Sequence, residues 1–215
     1  MTQNIGIMFL NKQDLIAMII SHKHKFIFVK TFKTAGSSIE NYLQKYLGPN
    51  DIIRGSQYDN TPSLNAPSKG RHASVQQIKE WYPNDWNDEY FSFCVERNPW
   101  NVAVSYYFYM KHAGRIKSQT FDEWIKVEDL QKLNNYKKYT INNKVVVNKV
   151  LKYENLESDI NNIPVPYNGE LKTIFLKKGH RPSKDYKIHY TDETRKLIED
   201  NFAETISMFG YTYED

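Results

Sequence analysis

Phe26-Ile27-Phe28-Val29-Lys30-Thr31-Phe32-Lys33-Thr34-Ala35-Gly36-Ser37-Ser38-Ile39-Glu40-Asn41-Tyr42-Leu43 is the stretch whose reading decides the fold. Its first four residues form an apolar run of β-favouring types, the length of a buried strand. From Ile39 onward the spacing turns helical, with Ile39, Tyr42, Leu43 and Tyr46 on one face. Between the two lies a turn of small residues, Thr34, Ala35, Gly36, Ser37 and Ser38, that delivers backbone N–H groups to a helix start. Amides there lack carbonyl partners and meet the positive end of the helix dipole, so such a turn binds anions. Lys33 adds a mobile charge, and Thr34, Ser37 and Ser38 add hydroxyl donors. Two readings fit: a cradle for a phosphate-like group, or a plain strand–turn–helix capped by Ser37 or Ser38. The nucleoside-triphosphatase loop G-x-x-x-x-G-K-[ST] is absent, because here the lysine precedes the glycine. The ligands that would hold Mg²⁺ in such an enzyme are therefore not in place.

A second stretch repeats the design. Tyr90-Phe91-Ser92-Phe93-Cys94-Val95 reads as another buried strand, and Glu96-Arg97-Asn98-Pro99-Trp100 leads into a helix, with Pro99 suited to its first turn. Arg97 at the strand end and Ser105 on the helix can converge on one anion. Taken together, Lys33-Thr34-Ala35-Gly36-Ser37-Ser38 and Arg97-Asn98-Pro99-Trp100 with Ser105 resemble the two signatures of the sulfotransferases. These enzymes use 3′-phosphoadenosine 5′-phosphosulfate (PAPS). The resemblance is closest to the carbohydrate sulfotransferase branch and its bacterial relatives, and it runs from about Lys25 to Tyr211, through Leu151-Lys152-Tyr153-Glu154-Asn155-Leu156 and Phe209-Gly210-Tyr211.

The resemblance implies a donor site. The first loop, Lys33 to Ser38, would hold the 5′-phosphosulfate, and Arg97 and Ser105 the 3′-phosphate. Lys30 matches a position often basic in relatives and is implied to reach the phosphosulfate too. The basic turn Lys177-Lys178-Gly179-His180-Arg181-Pro182-Ser183 is either solvated charge or a late loop that brings Arg181 or Ser183 near the 3′-phosphate. In Lys69-Gly70-Arg71-His72-Ala73-Ser74, relatives often place a histidine taken as the base that deprotonates the acceptor; here it is His72, with Glu96 as a carboxylate alternative. One departure stands out: relatives commonly have proline before the loop lysine, where this chain has Phe32.

With 215 residues, 40% hydrophobic and 25% charged, the chain supports one globular domain spanning 1–215. A net charge of +4 suits anionic ligands but is too mild for a nucleic-acid binder. The single Cys94 rules out an intramolecular disulfide framework and reads as a core thiol in a reducing compartment. In the N-terminal extension, 1–24, no apolar run reaches the ~18 residues a membrane span needs, and Asp14 to Ser21 reads as a short helix. No signal-peptide order is present. The related animal enzymes carry a Golgi anchor; without one, the chain reads as a cytoplasmic, bacterial-type protein rather than a trimmed one. Segment 48–70, rich in Pro, Asn and Ser, reads as a mobile loop: a lid, an acceptor-binding segment or plain surface. Ser74 with Gln77, and Thr120 with Glu123, form capping boxes. Val127 to Asn143 is polar and reads as solvated or acceptor-facing. Tyr186 and Tyr190 read as core, and Thr191 opens a helix through Phe209 that Gly210 ends.

Strands alternating with helices predict an α/β fold, a parallel central sheet flanked by helices with ligands at the strand C-terminal ends; the resemblance implies that it is the P-loop-NTPase-like fold of the sulfotransferases. The implied activity is in-line transfer of a sulfuryl group from PAPS to an acceptor hydroxyl on a glycan or small molecule. His72 would take the proton and Lys33 would serve the leaving group. No metal is required, and no ligand cluster has metal spacing. Two rival classes remain, a small-molecule or nucleoside kinase and a non-catalytic nucleotide-binding module.

Overall fold

The structure, a computed structural model, describes residues 18–54, 72–169 and 181–215. Its strands are β1 (Met18–Ser21), β2 (Phe26–Val29), β3 (Ile52–Arg54), β4 (Phe91–Glu96), β5 (Thr140–Ile141), β6 (Lys144–Val145) and β7 (Lys149–Lys152). Its α-helices are α1 (Gly36–Leu43), α2 (Val75–Trp81), α3 (Pro99–His112), α4 (Phe121–Val127), α5 (Tyr136–Tyr139), α6 (Leu156–Asn161), α7 (Asp192–Asn201) and α8 (Ala203–Phe209). Five strands make one sheet in the order β3-β1-β2-β4-β7, and β5 and β6 form a separate ribbon.

The sheet is mixed, which corrects the expectation of a parallel one. β2, β4 and β7 run parallel, whereas β1 pairs antiparallel with both β2 and β3. Met18 pairs with Val29 and Ser21 with Phe26, so only residues 22–25 join the two strands, and a link that short can only reverse the chain. Asp51 fixes this turn, accepting hydrogen bonds from the amides of His22 (2.8 Å) and Lys23 (3.0 Å) and from the Ser21 hydroxyl (2.7 Å). β1 also replaces the helix expected over Asp14 to Ser21, of which 14–17 lie outside the described residues. Met18, Ile19 and Ile20 are buried, and alternate members pack on opposite faces of the sheet, an arrangement a strand provides. β3 occupies the start of the expected 48–70 loop, whose residues 55–70 lie outside those described.

Alternation along the strands builds two cores. Ile19, Phe26, Phe28, Phe93 and Val95 pack against Ile39, Tyr42 and Leu43 of α1 and Leu156 and Ile160 of α6. The intervening residues Met18, Ile20, Ile27, Val29 and Cys94 pack against Val75 and Ile78 of α2 and Tyr136 and Tyr139 of α5. A third cluster, centred on Trp100, Tyr107, Trp124, Tyr186, Ile198 and Phe202, joins α3, α4 and α7. The capping boxes at Ser74 and Thr120 form as read. The C-terminal helix is two helices, because Phe202 (φ −125°, ψ 25°) leaves the helical region while its side chain is buried in the third cluster; Gly210 at φ 63° ends the second.

Val127 to Asn143 is solvated on one side only. Leu130, Leu133, Tyr136 and Tyr139 recur every third residue and all are buried, and Asn134 and Asn135 are buried with them. Polarity hid a real apolar repeat.

Under the first loop lies a buried ion pair, Lys30 Nζ with a carboxylate oxygen of Glu40 on α1. A Cβ on Gly36 would come within 2.6 Å of Lys30 Cγ, so glycine lets the loop lie directly on this pair. Removing one partner of a buried pair strands the other charge. Lys30→Met should therefore cost about 3–5 kcal/mol in denaturant unfolding, and Lys30→Met/Glu40→Leu should recover most of it. A single variant as stable as the wild type would show that the pair does not support the loop.

Candidate functional site

The C-terminal ends of β2, β4 and β7 lie side by side, with Val29 opposite Cys94 and Glu96 opposite Lys152. Each strand hands its next residues to the same edge: Lys30 onward from β2, Arg97 from β4 and Tyr153 from β7. Such edges of parallel strands are where open α/β sheets place ligands.

The first loop is held in a strained shape. Lys33 (φ 56°) and Ala35 (φ 62°) both adopt the left-handed conformation that glycine prefers, costing about 1–2 kcal/mol each. Such strain persists where the surroundings over-determine it. Ala35 is the N-cap of α1, no side chain caps that helix, and the Ala35 carbonyl accepts from the Ser38 and Ile39 amides at 2.8 and 3.1 Å. The capping alternative for Ser37 or Ser38 is thereby removed. Thr34 turns inward instead of outward: its hydroxyl is buried and bonds to Thr31 Oγ1 (2.8 Å) and the Thr31 carbonyl (3.2 Å). An anion at this loop would meet the Thr34 backbone, not its hydroxyl. Lys30, paired with Glu40, lies beneath the loop. Lys33 extends over α3, its ammonium 4.3 Å from the centre of the Tyr109 ring.

Arg97 ties the second stretch to the first. Only 6% exposed, it donates from Nη1 to the Lys33 carbonyl (2.8 Å) and from Nη2 to Asn101 Oδ1 (2.8 Å), and its guanidinium lies 4.0 Å from the Tyr153 ring centre. Its Nε is buried without a hydrogen-bond partner. Arg181 Nη1 donates to the same Asn101 oxygen at 2.6 Å. Two guanidinium groups thus share one neutral acceptor, and among the described residues neither has a carboxylate within ion-pair distance. Burial lowers the Arg97 pKa, and the neighbouring Arg181 charge lowers it further, against an opposing pull from Tyr153 and the Glu154 carboxylate. An anion would relieve both effects. Ser105 is half-buried on α3, four residues beyond Asn101 and so on the same helix face. Ser183 is not brought to this point by its side chain; its hydroxyl accepts from the Asp185 amide at 3.1 Å.

His72 meets the first loop from the other side. Its Nδ1 lies 2.8 Å from the Lys30 carbonyl, and its ring centre is 4.0 Å from that of Phe32. A carbonyl only accepts, so Nδ1 carries the hydrogen and Nε2 is the proton-accepting atom of the neutral ring. Glu96 is placed quite differently. It is 2% exposed; Oε1 accepts from the Arg97 amide (2.9 Å) and Asn135 Nδ2 (3.3 Å), and Oε2 from the Tyr139 hydroxyl (2.7 Å). These contacts remove it as a base for an outside hydroxyl. Phe32 supplies an N–H that a proline at this position would lack, and Asn135 Oδ1 accepts it at 2.7 Å.

Asn101, Tyr109, Asn135 and Tyr153 were not foreseen. Asn101 had a signal, four residues from both Arg97 and Ser105 on one helix face. Asn135 had none, because its partners lie far away in sequence. A separate cleft of about 270 Å³, lined by Lys79, Trp86, Tyr90 and Asn148, contains none of these residues. Cys94 is buried, and burial pushes its thiol pKa up, in keeping with a core thiol. Among the described residues no group of His, Cys, Asp and Glu could hold a metal, and no helix is long and apolar enough to cross a membrane.

No family model matches the chain, and no solved structure matches it. An uncharacterized protein of Archaeoglobus fulgidus is similar to it, 41% identical over 76 residues, which are 34% of this chain. The chain covers 63% of that protein's length.

Burial pushes the Glu96 pKa up from 4.5 to about 7, against the pull of its three donors. The folded state therefore keeps a proton that the unfolded chain releases between these values, and stability falls as pH rises through that window and then levels. The loss is on the order of 3 kcal/mol. Glu96→Gln should lack this component, so its stability relative to wild type should climb from pH 4.5 to 7.5 in urea titrations. A flat difference would show that Glu96 titrates normally.

Proposed function

We propose that this protein is a PAPS-dependent sulfotransferase that moves a sulfuryl group to the hydroxyl of a glycan or small molecule. The observation that carries the reading is Arg97, buried, bonded to the Lys33 carbonyl and sharing Asn101 with Arg181, with no carboxylate among the described residues within ion-pair distance of either. A donor with anions at both ends of its nucleotide fits this charge arrangement: Arg97, Arg181 and Ser105 for the 3′-phosphate, and the amides of Thr34 to Ser38 with Lys33 for the phosphosulfate.

The chemistry follows from these placements. The acceptor oxygen attacks sulfur in line, and the bond between sulfur and the bridging oxygen breaks. That oxygen leaves with the electron pair on 3′-phosphoadenosine 5′-phosphate (PAP), and the acceptor proton passes to His72 Nε2. Lys33 neutralises the leaving phosphate while the loop amides hold the sulfonate oxygens. Lys30 supports the loop through Glu40.

The product nucleotide tests the donor site. PAP at one hundred times its dissociation constant should stabilise the protein by about 2.7 kcal/mol. Arg181→Ala should weaken PAP binding by about 1.5–3 kcal/mol and leave adenosine 5′-phosphosulfate, which has no 3′-phosphate, nearly unaffected. Calorimetry showing no effect of PAP but a large one of ATP–Mg²⁺ would replace this reading with a kinase.

The base is tested separately, once transfer of labelled sulfate has identified an acceptor. His72→Ala should lower turnover by about 10²–10⁴-fold with little change in PAP affinity, and it should abolish the rise in turnover that accompanies loss of the imidazole proton. Near-normal turnover with the wild-type pH profile would exclude His72. PAP binding without transfer to any glycan, phenol or lipid hydroxyl would point to a binding module.

A further inference from the structure

Asn135 occupies the N-cap of α5, a place where asparagine ordinarily accepts from the helix's own amides, yet its side chain makes no capping bond. It reaches instead to the first loop, 103 residues away in sequence. Oδ1 accepts from the Phe32 amide at 2.7 Å, and Nδ2 donates to the Phe32 carbonyl at 3.1 Å. Nδ2 also donates to Glu96 Oε1 at 3.3 Å. A carbonyl and a carboxylate face that end of the amide, both of them acceptors, so the orientation of the side chain is fixed by its partners.

Followed onward, the bonds close a ring. The Glu96 oxygen that accepts from Asn135 also accepts from the Arg97 amide, and the Arg97 guanidinium donates to the Lys33 carbonyl, one residue beyond Phe32. Phe32, Asn135, Glu96, Arg97 and Lys33 thus form a circuit joining both loops. Within it sits Lys33 in the left-handed conformation, with Ala35 just beyond. On the far side, the ring of Phe32 lies against His72.

We infer that Asn135 is a positioning residue of the candidate site: by clamping both backbone groups of Phe32 it sets the conformation of the Lys33–Ser38 loop, and so the loop's affinity for its anion. At 2% exposure Asn135 does not itself meet solvent, so it acts through Phe32. The choice of ligand rests on the donor reading above; the clamp does not.

The experiment compares wild type, Asn135→Ala, Asn135→Asp and, as a control for general destabilisation, Asn134→Ala. Asn134 is equally buried, but its side chain bonds to the Tyr136 amide. Hydrogen exchange at the Phe32 amide and PAP affinity by calorimetry are read well below each midpoint of unfolding. Asn135→Ala should lose about tenfold or more in Phe32 protection and about tenfold in PAP affinity, and Asn134→Ala neither. Asn135→Asp keeps the acceptor for the Phe32 amide but loses the donor, so it should restore much of the protection and little of the affinity. If Asn135→Ala does not fold, the comparison of Asn135→Asp with wild type still decides, because a clamp requires the loss of affinity in that variant. Wild-type protein that ignores PAP would end the donor reading, while loss of Phe32 protection in Asn135→Ala would still support the clamp. Unchanged Phe32 protection, or losses matched by Asn134→Ala, would overturn it.

Discussion

Glu96 ends β4 with its carboxylate out of water, where a charge needs hydrogen-bond donors around it. The three that meet it come from the strand's own exit and from the two ends of α5: the amide of Arg97, the side chain of Asn135 and the hydroxyl of Tyr139. Their convergence fixes where β4 stops, where α5 begins and how the first loop crosses between them. Burial raises the Glu96 pKa despite these donors, so desolvation outweighs hydrogen bonding at this point. The network holds together loops separated by more than sixty residues, and the strained residues of the first loop depend on that constraint.

Charge is managed by two opposite devices within one loop. Beneath it, Lys30 is answered by Glu40, so its charge is spent inside the fold. Above it, Arg97 and Arg181 share a neutral amide oxygen and no carboxylate among the described residues. Lys30 with its carboxylate partner supports the backbone, and the two guanidinium groups are the part of the proposed donor site that an anion would complete. The basic residues of this region were alike in sequence, and only their partners distinguish support from recognition.

Short-range patterns were legible in the chain. The apolar runs of β2 and β4, the capping boxes of α2 and α4, Pro99 at the start of α3 and the left-handed Gly210 all correspond to local rules. So did the meeting of the two loops, since both follow strands of one sheet. What escaped were features decided by distant partners. Met18 to Ser21 has no helix-or-strand signal of its own strong enough to override a nearby apolar cluster, and pairing with β2 and β3 settles it. Thr34 looks like an outward donor until the Thr31 hydroxyl claims it. Asn135 sits in a run of Lys, Asn and Tyr whose average polarity concealed its burial.

The parallel core also orders events in time. β1 and β2 can zip locally through the turn at 22–25, but β2 must wait for β4, and β4 for β7, before the three strand ends are neighbours. Each of those pairings closes a chain loop of more than fifty residues, the slow kind of step in folding. The left-handed Lys33 lacks its bond from Arg97, and its neighbour Phe32 the bonds to Asn135, until those residues have arrived. On the nascent chain the first loop is thus synthesised early and shaped late: its residues emerge with β2, while Asn135, one of the groups that holds them, emerges a hundred residues afterwards.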